Sequence, residues 1–178
     1  MNMFEKTISS ENVYEGKLIN IRRDKIQLKG RYFTREVIEH PGSVAIVPMP
    51  DEKTILMVEQ YRHAIGKSIL EIPAGTLEKN ESALECAHRE LIEETGYEAE
   101  ELIKLIGCYL APGYSTELIQ IFLATRIKKT KQNLEKDEHI NVLPIDLEEA
   151  NKKIRNGEIE DAKTIVGIAC LQLFMVTQ

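Results

Sequence analysis

Residues 75–97 read GTLEKNESALECAHRELIEETGY, and the run Arg89-Glu90-Leu91-Ile92-Glu93-Glu94 inside that stretch packs three carboxylates into five residues. Ser82 with Glu85 three positions later forms a capping box, and Leu84, Ala87 and Leu91 give the following segment a helical apolar stripe that Gly96 ends. On such a helix Glu90, Glu93 and Glu94 stand at i, i+3 and i+4 and share one face. Like charges at that spacing cost an isolated helix roughly 0.2–0.5 kcal/mol per pair, so something must offset the repulsion. A hard divalent cation does so, since Mg²⁺ is normally held by a few carboxylates that leave positions for water and phosphate. The plain alternative is an acidic helix face that is simply solvated.

Working outward, Pro73-Ala74-Gly75 stops a short strand at Ile69–Ile72, and Gly75 allows a sharp turn that brings the Ala74 carbonyl close to the helix. Upstream, SVAIVPM and TILMVEQYR read as a hairpin turning at Pro50–Lys53. Residues 1 to about 41 look strand-rich, with Lys29-Gly30-Arg31 as a turn. Downstream, strands are expected over Leu102–Leu110 and Leu118–Ile127, joined by the loop Ala111-Pro112-Gly113-Tyr114-Ser115-Thr116. A charged stretch then leads to the strand INVLPI, and two helices capped by Asp146 and Asp161 close the chain.

The length of 178 residues suits a single domain with a small appendage, and 43% hydrophobic with 29% charged content describes a chain able to bury a core. A net charge of −6 argues against nucleic acid as a partner but not against anionic small molecules, because a bound cation inverts the local field. Cys86, Cys108 and Cys170 form no C-x-x-C pair and fit free thiols in a reducing compartment. The charged start lacks the apolar core of a signal peptide, and Thr164–Val176 is apolar but too short to span a bilayer. A cytoplasmic protein without membrane contact is expected. The four histidines show no metal-ligand spacing.

Gly75, Glu81, Arg89, Glu90, Leu91, Glu93, Glu94, Gly96 and Tyr97 fit the Nudix box, G-x5-E-x7-R-E-U-x-E-E-x-G-U, with U a bulky apolar residue and Tyr97 an aromatic where an aliphatic is commoner. The chain therefore resembles a Nudix hydrolase. The resemblance implies an α/β fold, an α/β/α sandwich with a mixed sheet over residues 42–178, preceded by a small β segment over 1–41 that serves dimerisation. It also implies that the Ala74 carbonyl, Glu90 and Glu94 hold Mg²⁺, for which Mn²⁺ could substitute, with Glu93 beside them as a catalytic residue. Arg89 is placed to orient a neighbouring glutamate, and Glu81 either pairs with Arg89 or merely precedes the cap.

Pro112, 16 positions after Gly96, resembles the ADP-ribose pyrophosphatase group, as do Val58–Arg62, Glu71–Gly75 and Asp161–Thr164. By that likeness Arg35, Arg62, Glu71, Pro112 and Gly113 become substrate contacts. Guanidinium groups suit the task because they bind phosphate in a planar, bidentate way. A general base is expected on the acidic loop among Glu135, Asp137 and Glu138, with Glu138 preferred, although Asn141 departs from a position often acidic in that group. The implied activity is hydrolysis of ADP-ribose to AMP and ribose 5-phosphate by a homodimer. Alternatives are a pyrophosphatase for another nucleoside diphosphate sugar such as GDP-mannose or for a dinucleotide, and a non-catalytic ADP-ribose-binding sensor. A sensor would be expected to have lost box carboxylates, whereas all three are present.

Overall fold

The computed structural model describes residues 4–134, 136 and 138–176. The elements run β1 (Lys6–Glu15), β2 (Asn20–Leu28), β3 (Arg31–Glu39), β4 (Ser43–Pro48), β5 (Thr54–Arg62), β6 (Lys67–Glu71), β7 (Ala74–Thr76) and α1 (Ala83–Glu90). They continue with β8 (Tyr97–Tyr109), β9 (Leu118–Lys129), β10 (Ile140–Asp146), α2 (Leu147–Arg155) and α3 (Ala162–Val176). The chain divides into two compact units, Met1–Gly42 with Tyr109–Leu118, and Ser43–Cys108 with Ile119–Gln178.

The first unit is an antiparallel sheet in the order β1-β2-β3. Lys29 and Gly30 both take positive φ, 49° and 77°, which is the backbone a tight two-residue hairpin needs between β2 and β3. The Tyr109–Leu118 segment joins this unit through Ile38, whose N–H donates to the Tyr114 carbonyl at 2.7 Å and whose carbonyl accepts from Thr116 N–H at 3.0 Å. Every residue of β1 is exposed.

The second unit holds a mixed four-stranded sheet, β7-β4-β9-β8, and an antiparallel sheet, β10-β5-β6. Strand β4 is buried along its whole length. Such a run without alternation belongs to a strand covered on both faces, and its two faces feed two cores. Val44 and Ile46 pack with Phe122, Ala124 and the helix residues Cys86, Ala87 and Leu91. Ala45 and Val47 pack with Ile119, Ile121, Ile55, Met57 and the α3 residues Ile168 and Leu171. Helices thus cover both sides of the mixed sheet, as an α/β/α sandwich requires.

This arrangement corrects the expected hairpin of SVAIVPM with TILMVEQYR. Strand β4 runs parallel to β9 and antiparallel to β7, whereas β5 pairs with β10 and β6. The apolar residues of β4 need a partner on each face, and a two-stranded hairpin would leave one face wet. Pro73 likewise interrupts the chain without ending its strand character, because Ala74–Thr76 resumes as β7 in the other sheet. Strand β8 begins at Tyr97, five residues before the expected start.

Candidate active site

The site is built on the segment that links β7 to α1. Ser82 Oγ accepts from Glu85 N–H at 3.3 Å and the Glu85 carboxylate accepts from Ser82 N–H at 2.9 Å, so the capping box is complete. Burial of Cys86, Ala87 and Leu91 against β4 and β9 then fixes the rotation of the helix about its axis. The ladder does not stay α-helical: Leu91–Thr95 forms a single π turn, ended by Gly96 at φ 69° whose N–H donates to the Ile92 carbonyl at 2.9 Å. Short π turns inside helices are frequent at functional sites.

Glu90, the last residue of α1, and Glu94, on the π turn, both lie on the buried side, 9% and 3% exposed. One Glu94 oxygen accepts from Ala74 N–H at 2.9 Å. Burial pushes the Glu94 carboxyl up to about 8, the Ala74 N–H opposes this, and the nearby Glu90 and Glu138 charges add to it. The same desolvation raises Glu90, against the pull of Arg89. The Glu138 charge adds a smaller upward push on both glutamates. Glu135 and Asp137 lie outside the described residues.

Arg89 is the organising cation. Its Nε and Nη2 donate to the two Glu81 oxygens at 2.8 and 2.9 Å, and its Nη1 donates to Glu90 at 2.6 Å and to Glu93 at 3.0 Å. Glu81 is therefore the partner of Arg89, which holds its carboxyl down to about 2. Gly75 is needed for a different reason from a turn. A Cβ there would overlap the Glu90 carboxyl, so only glycine leaves that group its place.

Among the described residues no three His, Cys, Asp or Glu side chains converge closely enough as they stand to hold an ion. Arg89 draws Glu90 and Glu93 while Ala74 N–H holds Glu94. The donor set still fits a hard divalent cation: it offers carboxylate oxygens, two of them buried with raised proton affinity, around a backbone cleared by Gly75.

Beyond the helix, Arg62 Nε and Nη2 donate to the two oxygens of Glu71, both at 2.6 Å. Glu71 is 1% exposed and is also the partner of the Lys163 ammonium. These side chains line a cavity of about 530 Å³ together with Lys67 and Asp161. Glu94 and Arg62 are close enough to interact by charge. Arg62, Glu71, Ala74, Glu90, Glu93, Glu94 and Glu138 thus belong to one compact unit.

Arg35, Pro112 and Gly113 belong to the other. Arg35 donates to Glu5 at 2.5 and 3.2 Å and lies over the Phe33 ring at 5.9 Å. Pro112 and Gly113 form a turn closed by Ser115 N–H on the Ala111 carbonyl at 2.9 Å. Asn141 donates to Glu59 at 3.3 Å.

Two residues escaped the sequence reading. The Gln60 side-chain oxygen is buried without a partner among the described residues. Its strand neighbour two positions on is Arg62, so both project from one face of β5. Lys163 meets Glu71 across 92 residues, a separation at which no local pattern announces the contact.

Comparison with known proteins bears on the fold and the family. The crystal structure of an ADP compounds hydrolase superposes with a TM-score of 0.87 at 19% identity, covering 98% of this chain and 95% of that one. In sequence, an ADP-ribose pyrophosphatase of Bacillus subtilis (strain 168) is 41% identical over 172 residues, 95% of this chain and 93% of that protein. A methanol dehydrogenase activator of Bacillus methanolicus is 41% identical over 173 residues with the same two coverages. A GDP-mannose pyrophosphatase of Escherichia coli O1:K1 / APEC is 33% identical, covering 87% of this chain and 95% of that protein. The NUDIX domain model matches residues 39–165, which contain the capped helix, its π turn and the Arg89 clamp, and the chain accordingly belongs to the NUDIX family of hydrolases.

Proposed function

We propose that this protein hydrolyses ADP-ribose to AMP and ribose 5-phosphate. The observation that carries the reaction class is the pair of buried carboxylates beside Gly75, Glu90 at the end of α1 held by Arg89 and Glu94 on the π turn held by Ala74 N–H. The substrate follows from the ADP-ribose pyrophosphatase relative at 41% identity over nearly the whole chain.

In this reading the Ala74 carbonyl, Glu90 and Glu94 hold Mg²⁺, with Glu93 beside them. Bound there, the cation supplies charge neutralisation for the diphosphate and makes a water molecule more acidic. The chain's own groups do the rest. Arg62 binds a phosphate through the guanidinium edge that Glu71 does not occupy. Arg89 offsets the repulsion between Glu90 and Glu93 by donating to both carboxylates. Glu138 takes the proton from the attacking water as a new P–O bond forms and the bond to the bridging oxygen breaks.

The protein acts as a homodimer in the cytoplasm. Support for the dimer is β1, a ten-residue edge strand exposed throughout, with Ile8, Val13 and Tyr14 uncovered. No helix among the described residues is long and apolar enough to cross a membrane.

The GDP-mannose pyrophosphatase relative favours a second reading, the same chemistry on GDP-mannose. Turnover of ADP-ribose, GDP-mannose and a dinucleotide by purified protein with Mg²⁺ separates the two. The proposal expects the largest kcat/KM for ADP-ribose, and a preference for GDP-mannose overturns the substrate assignment. Tight binding of ADP-ribose without AMP release would instead mark a sensor.

A further inference from the structure

We propose that Lys163 is a positioning residue for the substrate, acting through Glu71 on Arg62; this rests on the reading of Arg62 as a phosphate contact. The three side chains come from different elements: Arg62 ends β5, Glu71 ends β6 and Lys163 opens α3. They meet on a single carboxylate. Arg62 takes both Glu71 oxygens at 2.6 Å, and the Lys163 ammonium takes the oxygen that Arg62 Nη2 also uses.

Burial is graded along the chain of contacts. The Glu71 side chain is 1% exposed, that of Lys163 11% and that of Arg62 39%; all three line the cavity of about 530 Å³, and Arg62 is the member most open to it. Lys163 is held in turn by Asp161 at 3.1 Å, and Asp161 is fixed as the cap of α3 by accepting from Thr164 N–H at 2.9 Å. Thr164 Oγ also accepts from Ile72 N–H at 2.8 Å, which ties the start of α3 to the end of β6. The carboxylate of Glu71 therefore has its plane set from the α3 side, and the guanidinium plane of Arg62 follows it.

Two consequences follow for an anion arriving at Arg62. A buried carboxylate shared between two cations cancels less of the charge of either, so Arg62 keeps attraction for phosphate that a closed Arg62–Glu71 pair would lose. The bidentate geometry also removes rotamer freedom that Arg62 would otherwise surrender on binding substrate. Both effects belong to binding rather than to the chemical step.

The test is a pair of variants and their combination, assayed with ADP-ribose and Mg²⁺. Lys163→Met, which keeps the stem and removes the charge, is expected to raise KM about tenfold while kcat stays within about threefold, the size of a lost charged hydrogen bond. On an Arg62→Ala background the same change is expected to raise KM no further, since its intermediary is gone. Lys163→Arg restores the cation and is expected to recover most of the wild-type KM. Should Lys163→Met fail to fold, Lys163→Gln carries the same comparison with a smaller rise in KM. An unchanged KM in folded Lys163→Met, a loss of kcat alone, or an equal rise in KM on both backgrounds overturns the proposal. If Arg62→Ala itself leaves KM unchanged, the phosphate contact is wrong and this inference falls with it, whereas a high KM in Arg62→Ala with a normal one in Lys163→Met sinks the inference alone.

Discussion

Gly75→Ala separates the packing of this site from its chemistry. Gly75 pairs with Val44 across β7 and β4 and has no positive φ, so alanine fits the backbone there. Its methyl, however, would overlap the Glu90 carboxyl, and ordinary contact begins at 3.4 Å, so that group must retreat by roughly 1.6 Å. The retreating atoms are the end of a flexible side chain, so stability should change by no more than about 1 kcal/mol, helped by the lower entropy of the unfolded alanine chain. Catalysis has no such slack. Moving Glu90 breaks its 2.6 Å bond to Arg89 and displaces a metal ligand, and a misplacement of about 1 Å at a reacting centre can cost about a hundredfold. AMP release at saturating ADP-ribose and Mg²⁺, measured beside a thermal melt, should show kcat lowered about a hundredfold with Tm nearly unchanged. A kcat within threefold of wild type in the folded variant would refute the assignment of Glu90.

Glu94→Gln should lower turnover by about three orders of magnitude or more yet keep the fold, because its amide oxygen can still accept from Ala74 N–H; near-normal activity would remove Glu94 from the metal site. Since the folded Glu94 carboxyl titrates near 8, above its unfolded value, its contribution to the stability of metal-free protein is fully present below about pH 4.5 and is lost as pH rises through about 8. Denaturant melts in EDTA should therefore show unfolding free energy falling between about pH 5 and 8, by up to about 1.4 kcal/mol per pH unit, while Mg²⁺ affinity climbs over the same window; flat profiles would contradict this. Of the separate changes Glu135→Gln, Asp137→Asn and Glu138→Gln, the last should depress kcat most. Three mild effects would place the base elsewhere. Ser82→Ala should cost about 1 kcal/mol in denaturant melts by removing the cap of α1, and no loss would mean that packing on β4 alone sustains the helix.

The legible parts of this chain were those written in local patterns. Ser82 with Glu85, the stripe through Ala87 and Leu91, and Gly96 delimit the site helix without reference to any distant residue. The turn at Lys29-Gly30 and the caps at Asp146 and Asp161 are equally local. Reading failed where partners were remote. Nothing in SVAIVPM announces that β4 pairs with β9 some 75 positions later rather than with β5 next door, since a fully buried strand carries no alternation to choose its neighbour. The π turn was hidden because Leu91–Thr95 has ordinary helical composition, and its register is set by packing and by Gly96. Arg89 was expected to steer one glutamate and instead ties three, because Glu93 stands one helical turn on at i,i+4 while Glu81 folds back from the preceding loop.

The most direct measurement is AMP formation from ADP-ribose by protein stripped of divalent ions and then titrated with Mg²⁺, run in parallel on Glu94→Gln. The account predicts no AMP in the stripped wild type, saturable recovery with Mg²⁺, and no recovery in the variant. Equal turnover with and without the cation, or full recovery in Glu94→Gln, would contradict it.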